Sequence, residues 1–448
     1  MDNNKKKIKK LKNGIKLLVV PINTKLTSIS IDIFMGDKHE KRNETELTHY
    51  LEHIVAAFTS EKYKDSKKIK KELSDRGAIT NASVSSYETK FYIEGLYKDI
   101  EFYIDLLSNT LNNFYIDDRI VNVEKNAVIQ ELNNIIANND YIFNLKIWKY
   151  MYYRYYYLND NKSHIDFIKK YNTNNLYDYF KKHILLKNIL ISVTCPLNKT
   201  DNTIKLLSKA FNFKKNNYKY KLKYPTFHYK TKDIKILFIN NKQPTNNNSI
   251  LRIMVDKYIK NYSPKHISLI ILNNVLFNFQ TGIFYEILRR KLGLIYNISF
   301  NIIIDLYNYK SSSYYIESNI INFKLPLLIM NILKIIEGLE ITNEQIDNAK
   351  NTILVNWEYE NFFKLNTYTK YYGQYVLYNN PIIEKNTVKN MFKSISYEQI
   401  KEEFINFKND LLHNSLFFYY SNKNFNNNIK ETIKSKNLSY KIKYIALN

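Results

Sequence analysis

The run His49-Tyr50-Leu51-Glu52-His53 constrains this chain of 448 residues more than any other stretch. Positions i, i+3 and i+4 share one face of an α-helix, so His49, Glu52 and His53 converge only if the segment is helical. That face must then lie beside whatever completes the site. Two imidazoles at this spacing can hold one zinc ion, and the carboxylate between them can reach a water on the same ion without being a ligand. The chain carries only 8 His, which makes a chance HxxEH roughly a one-in-a-hundred event. The bland alternative is a partly solvated helix face.

A third ligand lies downstream. The segment Asp117 to Asn133 reads as a helix, with Ile120, Val123, Ala127, Val128 and Leu132 at near-helical spacing. Glu124 and Glu131 fall two turns apart on one of its faces. Reading these two as ordinary surface charges becomes much harder to sustain once they follow an HxxEH helix.

HxxEH, the reverse of HExxH, followed by Glu124-Lys125-Asn126-Ala127-Val128-Ile129-Gln130-Glu131 resembles the M16 zinc peptidases, the pitrilysin, insulin-degrading enzyme and mitochondrial processing peptidase group. The resemblance implies one zinc per chain held by His49, His53 and Glu131, with Glu52 as catalytic base. It implies Glu124 as a carboxylate that orients a ligand histidine. It covers nearly the whole chain. Leu11-Lys12-Asn13-Gly14-Ile15-Lys16 is similar to the family's first strand and turn, and Asn81-Ala82-Ser83 to its substrate-binding edge strand. Arg289-Arg290-Lys291-Leu292-Gly293-Leu294-Ile295-Tyr296 resembles an RExxGLxY stretch, which implies Arg289 and Tyr296 as partners of the reaction's oxyanion. Residue by residue, Arg289 also reads as a surface cation, Tyr296 as a packed tyrosine, and Asn81 to Ser85 as an ordinary hairpin strand. The chain departs from the family at three places. Asn278-Phe279-Gln280-Thr281 replaces a Gly-rich turn, Arg290 takes a glutamate position, and Glu46 stands where a glycine is common.

Composition excludes little by itself. The formal net charge is +25, but Asn, Lys, Ile and 40 Tyr are abundant beside only 8 Gly and 7 Pro. That bias follows A/T-rich codons, as in a large DNA virus or an A/T-rich cellular genome, and accounts for much of the basicity. No nucleic-acid-binding module is recognisable, so no nucleic-acid partner is expected. The densest basic run, Lys5 to Lys12, reads as a solvated N-terminal arm. Cys195 is the sole cysteine, which excludes an intrachain disulfide and fits a reducing interior. The N-terminus lacks the apolar core of a signal peptide, and the apolar stretches Leu269 to Phe277 and Leu325 to Ile336 are too short to span a bilayer. An intracellular, cytoplasmic or virion location is expected, with no membrane partner.

Element order repeats along the chain. Residues 11–35 read as strands about an Asn13-Gly14 turn, with alternation in Ser28-Ile29-Ser30-Ile31-Asp32-Ile33. The motif helix follows, its apolar stripe being Leu47, Leu51, Ile54, Val55 and Phe58. A second helix runs from Ser66 to a stop at Gly77. A strand pair, helices at 97–113 and 117–135, a polar stretch 159–175, a helix at 176–183 and a strand at 187–193 complete the unit. After a Lys/Asn/Tyr-rich segment the order recurs, with strands at 234–240 and 249–256, helices at 264–279, 282–291, 325–338 and 343–365, and a strand at 415–420. The expected fold is α+β, with two homologous α/β domains, each a mostly antiparallel sheet packed with helices, as in an M16 half-clamshell. The boundaries are 1–215 for a zinc-binding catalytic domain, 216–232 for a linker, and 233–448 for a domain without the metal motif. The expected function is zinc-dependent endoproteolysis of peptides or unfolded polypeptides, by a homodimer or a heterodimer with another M16-like chain. The alternative is a catalytically silent binding or scaffold subunit.

Overall fold

The structure, a computed structural model, describes residues 6–151, 161–213, 233–241, 247–304, 312–363, 365–435 and 442–447. The expected linker 216–232 lies outside the described residues. Two α+β units are present, one comprising 1–138, 154–224 and 361–382, the other 139–153, 225–360 and 383–448.

The first unit is built on strands β1 (Lys7–Lys10), β2 (Lys16–Ile22), β3 (Leu26–Ile33), β4 (Ile79–Val84), β5 (Thr89–Leu96) and β6 (Ile189–Pro196), in the spatial order β1-β2-β6-β3-β5-β4. The second is built on β7 (Ile234–Asn240), β8 (Asn248–Asp256), β9 (Ile298–Ile303), β10 (Ser313–Ile321), β11 (Leu416–Ser421) and β12 (Ile442–Leu447), in the order β12-β7-β11-β8-β10-β9. Pairing is mostly antiparallel, the parallel pairs being β2–β6, β7–β11 and β7–β12. With the outer strands β1 and β12 set aside, both sheets follow the same internal order. The repeat legible along the sequence is therefore a repeat of topology.

Gly14, at φ +104°, makes the expected turn, and Asn13 Oδ1 accepts the Ile15 amide at 3.2 Å. The basic run before it is not simply a solvated arm. Lys7–Lys10 pairs with β2 as an exposed edge strand, because the backbone of β2 has an open side and lysines suit a free edge.

The alternation in β3 suggests one face in water, yet Ser28, Ser30 and Asp32 are all buried. The reason comes from far along the chain. Helix Leu365–Leu377 covers that face, with Tyr372, Val376 and Leu377 packed on Leu18, Val20, Ile22 and Leu190. Beneath it Asp32 is satisfied by Lys90 at 2.9 Å, Ser30 at 3.0 Å and Ser192 at 3.1 Å. The second sheet is covered in reciprocal fashion by helix Asn139–Met151, whose Phe143, Ile147 and Met151 pack on Leu237, Ile239, Met254 and Phe418. Each sheet thus gains one covering helix from the opposite half of the sequence.

Helix Ser66–Asp75 ends as expected, with Gly77 left-handed at φ +63°. The carboxylate-bearing helix is Asp118–Ala137, longer than expected and capped by Asp117 Oδ1 on the Arg119 amide at 2.7 Å. Its buried stripe is Val121, Val128 and Leu132, whereas Val123 is exposed. The polar stretch 159–175 contains a further helix, Asn161–Lys170, held by buried Ile165 and Ile168. In the second unit, Asn278 Oδ1 accepts the amides of Gln280 at 2.9 Å and Thr281 at 3.3 Å, doing the work of the missing Gly-rich turn. The expected helix 282–291 continues from Ile283–Tyr285 as a π-helical turn, Glu286–Lys291.

Candidate metal centre

The motif helix is Leu47–Val55, which buries Leu47, Tyr50, Leu51, Ile54 and Val55 and leaves His49, Glu52 and His53 half-buried on the other side. Phe58, expected on the apolar stripe, is buried but lies beyond the helix at φ +54°. The free amides at the helix start are met by Glu40, whose carboxylate accepts from Glu46 N at 2.9 Å and Thr48 N at 2.8 Å. Tyr50 donates to the Val121 carbonyl at 2.5 Å, tying this helix to Asp118–Ala137. That tie brings the two glutamates to the histidines.

The distances can be compared with what a metal needs. His49 Nε2 lies 3.4 Å and His53 Nε2 3.5 Å from Glu131 Oε2. A tetrahedral zinc with bonds of about 2.0–2.1 Å has ligand atoms roughly 3.3–3.4 Å apart. His49, His53 and Glu131 form the one grouping of three possible metal-binding side chains among the described residues, with ligand atoms within 4.8 Å of one another. The donor set, two imidazoles and a carboxylate, suits zinc.

Each imidazole is also gripped from behind. His53 Nδ1 lies 3.1 Å from Glu124 Oε2, and His49 Nδ1 lies 2.9 Å from Glu46 Oε2. A carboxylate at Nδ1 keeps the proton there and leaves Nε2 with its lone pair directed at the site. Glu124 and Glu131 therefore address opposite nitrogens of His53 from one helix face, about 10 Å apart along the axis.

Burial would raise the Glu46 carboxyl, but hydrogen bonds from His164 and His49 bring it down to about 2. It is ionised and accepts from both rings. Burial would lower the His49 imidazole, but Glu46, Glu52 and Glu131 more than reverse this and hold it above its usual value. Burial raises Glu52, His53 and His49 pull it back, and Glu131 and Glu124 push it up again, for a net rise. A carboxylate so placed is a stronger base than an exposed one.

Beside the metal-ligand face is an open cleft of about 230 Å³ lined by Glu52, His53, Phe58, Lys70, Asn81, Ala82 and Glu124. Its far wall is β4, paired only with β5 and therefore an edge strand. Asn81 and Ser83 are exposed there and Ala82 is half-buried, its amide donating to Asn81 Oδ1 at 2.9 Å. Arg289 and Tyr296 belong to the second unit. The Arg289 guanidinium lies 4.4 Å above the Tyr296 ring and donates to the Tyr296 carbonyl, and Tyr296 is 72% exposed.

Two residues here escaped the sequence reading. Glu46 was visible only as a departure from the family, although its position three residues before His49 was a signal. His164, whose Nδ1 lies 2.7 Å from Glu46 Oε1, sits in the polar stretch and gave no signal at all.

The sequence model of Insulinase (Peptidase family M16) matches residues 18–154, and that of the Peptidase M16 inactive domain matches residues 170–353. Among curated proteins, the chain is 25% identical over 138 residues to cytochrome b-c1 complex subunit 1, mitochondrial, of Bos taurus, covering 31% of this chain and 28% of that protein. It is 28% identical over 127 residues to the mitochondrial-processing peptidase subunit beta of Saccharomyces cerevisiae, covering 28% of this chain and 27% of that protein. The matched region thus spans little more than a quarter of each relative. A protease from Helicobacter pylori superposes with a TM-score of 0.75 at 15% identity, covering 93% of this chain and all of that one, a likeness of fold alone.

Proposed function

We propose that this chain, which belongs to the M16 peptidase family, is a zinc-dependent endopeptidase acting on peptides or unfolded polypeptides. One observation carries the reading. Glu131 Oε2 lies 3.4 and 3.5 Å from the Nε2 atoms of His49 and His53, the separation two ligands of one tetrahedral zinc would have, and Glu52 shares the helix face of the two histidines. Zinc, when bound there, supplies a Lewis acid and acidifies the water it holds.

The chain's own residues do the rest. Glu52, raised in pKa and lining the cleft, takes the proton of the attacking water and returns it to the departing amine. Glu124 keeps His53 in the ligating tautomer. The open edge of β4 at Asn81, Ala82 and Ser83 offers backbone groups to an extended peptide, a mode that tolerates many sequences. Arg289 and Tyr296 are assigned to the developing oxyanion, and a homodimer or a pair with another M16-like chain would supply them to a partner's site. Residues 1–215, apart from 139–153, are assigned together with 361–382 to the catalytic unit, and 233–448, apart from 361–382, together with 139–153 to the unit without the metal motif.

A silent binding subunit is the second reading, favoured by the match of residues 170–353 to an inactive domain and by the likeness to a cytochrome b-c1 subunit. Cleavage of a quenched peptide library by wild type and Glu52→Gln, with zinc content measured for each, separates the two. Both proteins are expected to bind about one zinc, and only wild type to cleave. Equal cleavage by both sinks the mechanism, and zinc without cleavage in wild type supports the silent subunit.

A further inference from the structure

We propose that Glu46 and His164 are a positioning pair for the metal ligand His49, with Glu46 holding the imidazole and His164 holding Glu46. The proposal rests on the zinc-site reading and extends it to two residues outside the ligand set. Glu46 occupies the position before the motif helix at φ +69°, a left-handed conformation that a non-glycine residue seldom adopts. Such a backbone persists only where its surroundings hold it. Its side chain does not cap its own helix. Instead the two carboxylate oxygens divide between two rings, Oε2 to His49 Nδ1 at 2.9 Å and Oε1 to His164 Nδ1 at 2.7 Å. The Glu46 amide is fixed in turn by Glu40 at 2.9 Å.

The left-handed turn has a geometric consequence. It bends the chain so that residue 46, preceding the helix, can direct its carboxylate along the helix to a side chain on the first turn. A glycine would make the same turn and bring no carboxylate. With Glu46 in place, both ligand imidazoles are treated alike, His53 by Glu124 and His49 by Glu46. A carboxylate with one oxygen unheld could rotate away from His49. His164, almost fully buried on helix Asn161–Lys170, prevents this by engaging the other oxygen. A purely structural role for the pair predicts altered stability without altered zinc binding, which makes the two separable.

The test is zinc affinity by competition with a chromophoric chelator, alongside far-UV circular dichroism of the zinc-free proteins. Glu46→Gln and Glu46→Gly are expected to keep the wild-type spectrum and to bind zinc about 10–100-fold more weakly. In the zinc-loaded protein the His49 Nδ1 proton, expected downfield by NMR, moves upfield in both variants. His164→Ala is expected to weaken binding less and to add nothing in the Glu46→Gln background, and His164→Asn, which keeps a donor, to restore it. Zinc affinity in both Glu46 variants indistinguishable from wild type overturns the pair alone. A wild type that binds no zinc overturns the site reading, and this proposal with it.

Discussion

Replacing Tyr50 by Phe tests whether the proposed metal site depends on the register of two helices. Tyr50 is fully buried, and its hydroxyl donates to the Val121 carbonyl at 2.5 Å, the tie between Leu47–Val55 and Asp118–Ala137. The substitution keeps the ring and opens almost no cavity. Val121, inside its helix, also keeps its helical amide partner, so no carbonyl is stranded. The loss is therefore that of one neutral hydrogen bond, about 1 kcal/mol. For a unit of this size that lowers Tm by about 2–4 °C. If all of that energy serves to hold Glu131 at 3.4 and 3.5 Å from the two Nε2 atoms, zinc affinity falls by about fivefold and no more. Calorimetry with and without zinc, together with chelator competition, reads both quantities. An unchanged Tm in both forms, or a collapse of zinc affinity without any fall in Tm, would refute the reasoning.

Other perturbations have equally definite outcomes. Glu124→Ala removes the partner of His53 Nδ1 at 3.1 Å and is expected to weaken zinc binding about 10–100-fold, with Glu124→Gln nearer the lower end. Unchanged affinity by chelator competition contradicts that role. Glu88 is raised to about 7 by burial and by Asp32. Its fold-stabilising contribution is full below the unfolded carboxylate value and is lost as pH rises through about 7, so urea titrations of Glu88→Gln should show a flatter decline in that window, by at most about 1.4 kcal/mol per pH unit. Gly36→Ala would set a Cβ 2.1 Å from the Ser85 carbonyl oxygen, and because backbone cannot step aside cheaply, a loss of about 2 kcal/mol or more is expected in the same assay.

Much of the first unit could be read in advance because its signals are local. The Asn13-Gly14 turn, the stop at Gly77 and the HxxEH helix each depend on a few neighbouring residues. Val123 misled because an apolar residue at helical spacing need not face the core, and the core side of that helix was set by Tyr50 and the motif helix. Helix Asn161–Lys170 was hidden because two buried isoleucines suffice to seat it.

The sequence alone determined which residues could ligate a metal, since histidines three or four residues apart and glutamates two turns apart share faces once their segments are helical. It also carried the duplicated element order. Tertiary structure decided what lies behind those candidate ligands. Glu46 meets His164 across 118 residues of chain, and the polar face of β3 is buried under a helix more than three hundred residues away. Periodicity reports only on neighbours along a helix or strand; a hydrogen bond or a covering helix supplied by a distant segment leaves no periodic trace, and only folding places it.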